Sequence, residues 1–331
     1  MGILRILTAR DLEATLRMEE VIGVVEQAYR LYSGGEADVF PILSKEFEHE
    51  RNEMDIKAGH LVGVGLYGLK VIGWAADNPG KRNLPALAGL VVVMDIETQQ
   101  PLGLVEARTV TRLRTGAAGA VGAKALSRED SKVALVVGLG EQGEAQVEGL
   151  LAVRPGLSRL IACGRDPLKT KAYIAKMQAR FPRTRFEGVG LDDLKTGCRD
   201  ADIVVTCTPS HKKLVEKAWI RPGTHINAIG ADMPGKQELD VELVASARLV
   251  ADSREQVLRQ GEFQSAYKAG RIFPRDVDEI GEILLGRRPA RTSSEEITIF
   301  DATGMAIQDI LTAERALSRA ARENLGITVD I

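Results

Sequence analysis

Several residues in this chain have the type and spacing to do chemistry. Gly138-Leu139-Gly140-Glu141-Gln142-Gly143 directly follows the apolar run Val133–Val137. In such a turn Gly138 permits the tight bend, Gly140 lets a pyrophosphate approach the backbone, and Gly143 lets a helix pack close to the strand. A helix starting near Glu141 points its free N–H groups at the phosphates, so Glu141 and Gln142 join the three glycines as dinucleotide contacts. A lone glycine pattern also occurs in structural turns. Here an apolar strand precedes it and a helix-compatible stretch, Glu141–Leu151, follows, which favours a dinucleotide. The second strand of this region ends Cys163-Gly164-Arg165-Asp166. An acidic residue at the place of Gly164 would accept the ribose hydroxyl bonds of NAD. A small residue followed by arginine leaves room and charge for a 2′-phosphate, which predicts NADP(H). NAD(H) stays possible if Asp166 is the acidic residue, displaced by a different turn.

Three further residues are set apart by their surroundings. Asp232 lies just past the strand expected at His225–Ile229, where ligands bind at the carboxyl edge of a parallel sheet, with Gly230 and Gly235 allowing tight bends beside it. A helix-cap or turn aspartate is its alternative reading. Lys70 sits inside an apolar strand, which is costly unless it has a partner or a task, or faces solvent. Arg114 lies in Leu113–Ala120, LRTGAAGA, and a guanidinium holds a carboxylate in a two-pronged geometry that lysine cannot reproduce. Arg112 falls on another helix face and reads as a solvated charge. Thr115 and Gly116 follow and are placed to approach the cofactor. Thr208-Pro209-Ser210 reads as a loop over the cofactor, with His211 after it a surface histidine, whereas His225 heads a buried strand and reads as a core residue.

These residues need two kinds of element to position them. Thr8–Asp11 can cap a short helix, and Met18–Tyr32 has helical spacing until Gly34-Gly35. The runs 38–49, 54–61, 66–74, 88–95 and 101–107 are short, β-leaning and separated by Gly, Pro and Asn, which suggests an antiparallel or mixed sheet. Residues 106–126 form an Ala-rich helix, taken as the hinge between domains. From Lys132 to Ile299 strand and helix alternate in a doubly wound α/β pattern, with strands expected at 133–137, 159–163, 184–186, 203–206, 225–229 and 248–251 and a helix at Leu168–Arg180. Residues 296–300 add a strand. Helix 303–324 then returns to the first domain. The expected division is a Rossmann dinucleotide-binding domain at 116–303 and a discontinuous α+β substrate-binding and dimerisation domain at 1–115 plus 304–331.

The bulk composition narrows the function. With 331 residues, 44% hydrophobic, 27% charged and a net charge of −2, the chain reads as an ordinary globular protein with no basic bias toward nucleic acid. No apolar stretch approaches the roughly 20 residues of a membrane span, and the N-terminus lacks a signal-peptide pattern. Cys163, Cys198 and Cys207 are too few for a disulfide framework or a zinc site. No metal site is expected, and a cytoplasmic protein is the simplest reading.

Leu113–Ala120, the glycine turn, Thr224–Asp240 (THINAIGADMPGKQELD), Glu295–Asp309 (EEITIFDATGMAIQD) and Leu69–Pro85 together resemble the ornithine cyclodeaminase/μ-crystallin family, closest to its alanine dehydrogenase and ketimine reductase members. The resemblance implies chemistry on an amino or imino acid. It places Asp232 beside the nicotinamide as acid/base or as a partner for the substrate nitrogen. It makes Arg114 a carboxylate clamp and puts Lys70 on the carboxylate and on the reacting carbon's substituent. Many members have a basic residue directly after a proline in the first sheet. Here Ile42 follows Pro41, with Arg51 the best replacement and Lys45 and Lys57 behind it.

The implied reaction is NAD(P)H-dependent reduction of a C=N carbon next to a carboxylate, the imine arising from a keto acid with ammonia or an amine, or being a cyclic ketimine. An ornithine cyclodeaminase-type lyase with recycled NAD and a non-catalytic NADPH-binding protein are the alternatives. Because large apolar sheets seldom stay uncovered, a homodimer is expected, with the nucleotide domains outside.

Overall fold

A computed structural model describes residues 3–48 and 51–331. The chain falls into two compact units, one comprising the residues up to Arg114 together with Met305–Ile331, the other Thr115–Gly304. The boundary at 114/115 lies within helix Ala107–Leu126.

The first unit is built on a mixed eight-stranded sheet. Its order is Ile327–Asp330, Ile3–Leu7, Pro101–Glu106, Leu87–Asp95, Leu66–Ala75, Asn52–Leu61 and Ala37–Val39, with Leu43–Glu48 also pairing Asn52–Leu61. All pairs are antiparallel except Ile3–Leu7 against Pro101–Glu106. The two terminal strands are additions to the expected set, and the run expected at 38–49 is two strands, its last residue His49 lying outside the described residues. Helix Ala9–Thr15 begins with a capping box, Thr8 and Asp11 bonding each other's backbone N–H groups. Helix Met18–Gly34 stops at Gly35 in the left-handed conformation. Helix Ala306–Glu323 lies on one face of the sheet, its Ile307 and Ile310 meeting Gly59 and Gly68, where a side chain would keep the helix off.

The opposite face carries a row of apolar side chains, one per strand. Leu43, Ile56, Val71 and Leu90 are register partners in turn, and Leu43, Val71 and Leu90 are 55%, 37% and 49% exposed.

The second unit is an eight-stranded, wholly parallel sheet in the order Arg185–Val189, Arg159–Cys163, Val133–Val137, Ile203–Thr206, His225–Ala228, Thr298–Asp301, Arg248–Ala251 and Val277–Glu279. Ala134–Val137 and Ile203–Val205 are buried, as strands covered on both faces must be. The chain moves outward from Val133–Val137 and then returns to Ile203–Thr206 on its other side. The crevice at the carboxyl ends of these two strands is therefore the topological switch point, where ligands bind in such sheets. Within this unit a methyl on Gly116 would come 2.6 Å from the carbonyl oxygen of Ala145, so this glycine serves helix packing rather than approach to a cofactor. A short pair, His211–Val215 with Gln237–Leu239, and the edge strand Val277–Glu279 are further elements that sequence patterning did not anticipate. Among the described residues no helix is long and apolar enough to cross a membrane.

Candidate active site

Lys70 belongs to strand Leu66–Ala75 and points to the face under helix Ala306–Glu323, with 1% of its surface exposed. A buried ammonium costs several kcal/mol unless it is paired. Its partner is Asp309, fully buried in the first turn of that helix, where the positive end of the helix dipole favours a carboxylate. Lys70 Nζ lies 2.9 Å from Asp309 Oδ2 and donates to Thr111 Oγ1 at 3.3 Å. Arg114 Nε donates to the other oxygen, Asp309 Oδ1, at 3.1 Å. A single carboxylate therefore stands between two buried cations.

Lys57 adds a third positive charge. It is the register partner of Lys70 on the neighbouring strand and is also buried. Like charges directly opposite each other in an antiparallel pair are destabilising. The ionisation of the group reflects this crowding. Burial pulls the Lys70 ammonium down to about 7, helped by Arg114 and opposed by Asp309. Burial alone would push the Asp309 carboxyl up, but Arg114 and Lys70 hold it below the usual carboxylate range.

Donors remain on this group. An ammonium has three N–H bonds, and Lys70 directs them at two protein acceptors. Arg114 uses Nε, while its Nη1 and Nη2 have no hydrogen-bond partner among the described residues. Excess positive charge with a planar fork of unspent donors suits an incoming carboxylate.

Arg51 is not part of this group. It pairs with Asp77 at 3.2 Å, half exposed, six residues along the strand from Lys57, or about 20 Å at the rise of a β-strand. This corrects the expectation that Arg51 is the best substitute for a basic residue after Pro41, for Lys57 stands beside Lys70. Lys45 is exposed. Arg112 is half-buried rather than a solvated charge.

In the second unit the glycine turn has the form a dinucleotide requires. Gly138 has φ +108°, which penalises any other residue. Around Gly140, the N-cap of helix Glu141–Val153, a side chain would meet nothing within 4 Å, so the approach is open. At Gly143 a side chain would strike the carbonyl of Gly138, which is the close helix–strand contact. Gln142 Oε1 and Thr115 Oγ1 are buried without a hydrogen-bond partner, as polar atoms awaiting a polar ligand would be. The turn thus fits a dinucleotide. Glu141 is exposed at the first helical position.

At the end of strand Arg159–Cys163, a side chain on Gly164 would meet Thr170 Oγ1 at 2.6 Å and Leu139 at 2.8 Å. A larger residue there would require Thr170 and Leu139 to shift. Asp166 caps helix Pro167–Arg180, accepting from the backbone N–H groups of Leu168 and Lys169. Exposed Arg165 lines a cavity of about 720 Å³ together with Thr170, Lys171, Gly188 and Asp192.

Asp232 lies at the carboxyl edge of the sheet, half exposed, and accepts from Lys236 Nζ at 2.6 Å. Its loop is held at the far end by Gln264, which accepts from Gly235 N–H and donates to the carbonyls of Met233 and Lys236. The Thr208 and Ser210 hydroxyls are both engaged locally. Thr208 Oγ1 donates to Glu238, and Ser210 Oγ donates to the Lys212 carbonyl. His225 is buried between Thr298 and Asn227, and burial pulls its imidazole down to about 3. Exposed His211 meets the Gly235 carbonyl. Among the described residues no group of His, Cys, Asp or Glu is placed to hold a metal ion.

The family model for the ornithine cyclodeaminase/mu-crystallin family matches residues 4–324. The chain belongs to this family. A relative from Archaeoglobus fulgidus described as alanine dehydrogenase is 39% identical over 97% of this chain and 96% of its own. An archaeal alanine dehydrogenase dimer with bound NAD superposes with a TM-score of 0.92 at 37% identity, all of both chains being covered. The Δ1-pyrroline-2-carboxylate reductase of Thermococcus litoralis, in complex with NADH and L-proline, gives 0.93 at 30% identity over 98% of this chain and 100% of its own.

In this member of the ornithine cyclodeaminase/mu-crystallin family, sequence reasoning passed over Asp309, Glu238 and Gln264, and ranked Lys57 behind Arg51. Asp309 had a signal, a carboxylate among the apolar residues of a helix start, Met305–Ile310. Its link to Lys70, 239 positions earlier, had none.

Proposed function

We propose that the protein is an NADP(H)-dependent reductase of imino acids, reducing a C=N carbon next to a carboxylate to give an amino acid. The observation that carries this reading is the pair Lys70 and Arg114 on one buried carboxylate, with guanidinium donors left over. Arg114 Nη1 and Nη2 fork onto the substrate carboxylate. Lys70 and Lys57 add charge beside it and draw electron density from the reacting carbon. Asp309 holds both cations in place. Asp232 holds or transfers a proton at the imine nitrogen.

The glycine turn Gly138–Gly143, with Gln142 and Thr115, would hold the dinucleotide. That group supplies the hydride. The NADP preference rests on Gly164, which offers no acid to the ribose, on Asp166 being spent as a helix cap, and on Arg165 and Lys171 outnumbering Asp192 at the cavity. The two solved relatives hold NAD or NADH, so the preference is an inference about this chain's own residues. The apolar row Leu43–Ile56–Val71–Leu90 suits a second copy of the chain, as in the dimeric archaeal relative, and we place the homodimer in the cytoplasm.

The test is an assay with NADPH or NADH, a panel of pyruvate, glyoxylate and cyclic imines, and ammonia or alkylamines, following the absorbance of reduced nicotinamide. Net oxidation is expected, faster with NADPH. Ammonia release from ornithine without net oxidation would replace this reading with the lyase.

A further inference from the structure

Glu238 is fully buried, and its carboxylate joins two loops at the carboxyl edge of the second unit's sheet. Oε1 accepts from Thr208 N–H and from Thr208 Oγ1, each at 2.7 Å, and Oε2 accepts from Gly230 N–H at 3.0 Å. Strands Ile203–Thr206 and His225–Ala228 are parallel neighbours with Thr206 opposite Ala228. Thr208 and Gly230 are each two residues further on, at matching height. The last backbone bond between the two segments is Ile229 N–H to the Thr206 carbonyl. Beyond it the Glu238 carboxylate stands where a ladder bond would have been, and Gly230 has no room for a side chain against Thr208.

Glu238 is itself fixed. Glu262 accepts from the backbone N–H groups of Glu238 and Leu239. Gln264 grips Met233, Gly235 and Lys236. Asp232 lies between the anchor at Gly230 and the anchor at Met233. Burying a carboxylate costs several kcal/mol, which a link needed only for packing avoids by using apolar side chains.

We propose that Glu238 is the positioning residue for Asp232. It clamps the Gly230 end of the loop to the end of strand Ile203–Thr206 and so sets where the Asp232 carboxylate meets the substrate nitrogen. This rests on the reductase reading above for its effect on turnover, though not for its effect on the loop.

The test uses Glu238→Gln, which keeps the shape but turns an N–H donor toward Thr208 or Gly230 in place of an acceptor. Two readouts are taken on the full-length protein. Hydrogen exchange followed by mass spectrometry should show the 230–236 amides exchanging at least tenfold faster than in wild type. The kcat should fall at least tenfold, while the dinucleotide Kd and the KM for the keto or imino acid stay within threefold, a split that general destabilisation does not produce. Unchanged exchange in the loop, or a kcat within twofold of wild type, overturns the proposal. Should Glu238→Gln fail to fold, Thr208→Val removes one of the three bonds. It should then lower kcat threefold or more, and wild-type kcat in that variant overturns the proposal. Should wild-type protein oxidise neither NADPH nor NADH with any substrate, the reductase reading fails, and loop exchange alone decides for or against Glu238.

Discussion

In the unit that carries Lys70, the buried charges are chiefly cations gathered around one carboxylate. In the unit that carries the glycine turn they are carboxylates, each met by backbone N–H groups. Lys70 and Arg114 share Asp309, with buried Lys57 opposite Lys70, and Arg114 leaves guanidinium donors unspent. Glu238, Glu262, Asp301 and Asp252 are buried in the other unit and accept from Thr208 and Gly230, from Glu238 and Leu239, from Phe263, and from Gly304 and Ser253. Burial pushes Glu262 and Asp301 well above the usual carboxylate range, whereas the cations hold Asp309 below it. The difference teaches that buried charge matters by how it is compensated. Carboxyl groups that accept from backbone N–H groups tie segments together, and a cation group with donors to spare is ready for an anion from outside.

The largest effect should come from the carboxylate placed for proton handling. Asp232→Asn should lower kcat by about 10²–10⁴ with little change in dinucleotide affinity, as measured by steady-state kinetics and fluorescence titration. Near wild-type turnover would remove Asp232 from the chemistry and leave only the loop. Breaking the cation group from its centre tests the other side of the comparison. Asp309→Ala leaves Lys70 and Arg114 buried without their counter-charge and should cost about 3–5 kcal/mol of stability, read by denaturant unfolding.

Smaller and more selective is Arg114→Ala. Loss of a charge-assisted carboxylate contact is worth about 1.5–3 kcal/mol, so KM for the keto or imino acid should rise roughly ten- to a hundredfold while NADPH affinity holds. Arg165→Ala should do the reverse, raising KM for NADPH by about the same factor and leaving that for NADH nearly unchanged.

Lys70 adds a pH dependence. Its ammonium, pulled down to about 7, loses its charge as pH rises through that value, so substrate KM should climb above neutrality by at most about tenfold per pH unit. Lys70→Arg, which stays charged, should flatten that climb. The smallest effect is expected at Glu262→Gln. Oε1 of Glu262 already accepts from both Glu238 N–H and Leu239 N–H, so an amide oxygen can take over and turnover should stay within about threefold. A large loss there would mean that the charge, and not the acceptor, matters in this unit.

The sequence by itself determined what is local. The buried strand Val133–Val137 running into the glycine turn, the helix that follows, and the alternation of strand and helix to Thr298–Asp301 were legible because side-chain period and glycine placement act within a few residues. Lys70 stood out for the same reason, a lysine at odds with its apolar strand, whereas the roles expected of Arg114 and Asp232 came from the family resemblance and not from their neighbours. Short strands that exist only because a partner lies beside them were not legible. Ile3–Leu7, Ile327–Asp330 and Val277–Glu279 are three to five residues long and take their structure from pairing.

Tertiary structure alone decided the charge partners. Only folding brings Asp309 to Lys70 and Arg114, places Lys57 rather than Arg51 opposite Lys70, and sets Glu238 between Thr208 and Gly230. The physical reason is range. Propensity and periodicity are properties of a segment, whereas the cost of burying a charge falls due only when distant segments exclude water together, and whichever residue then stands within about 3 Å becomes its partner.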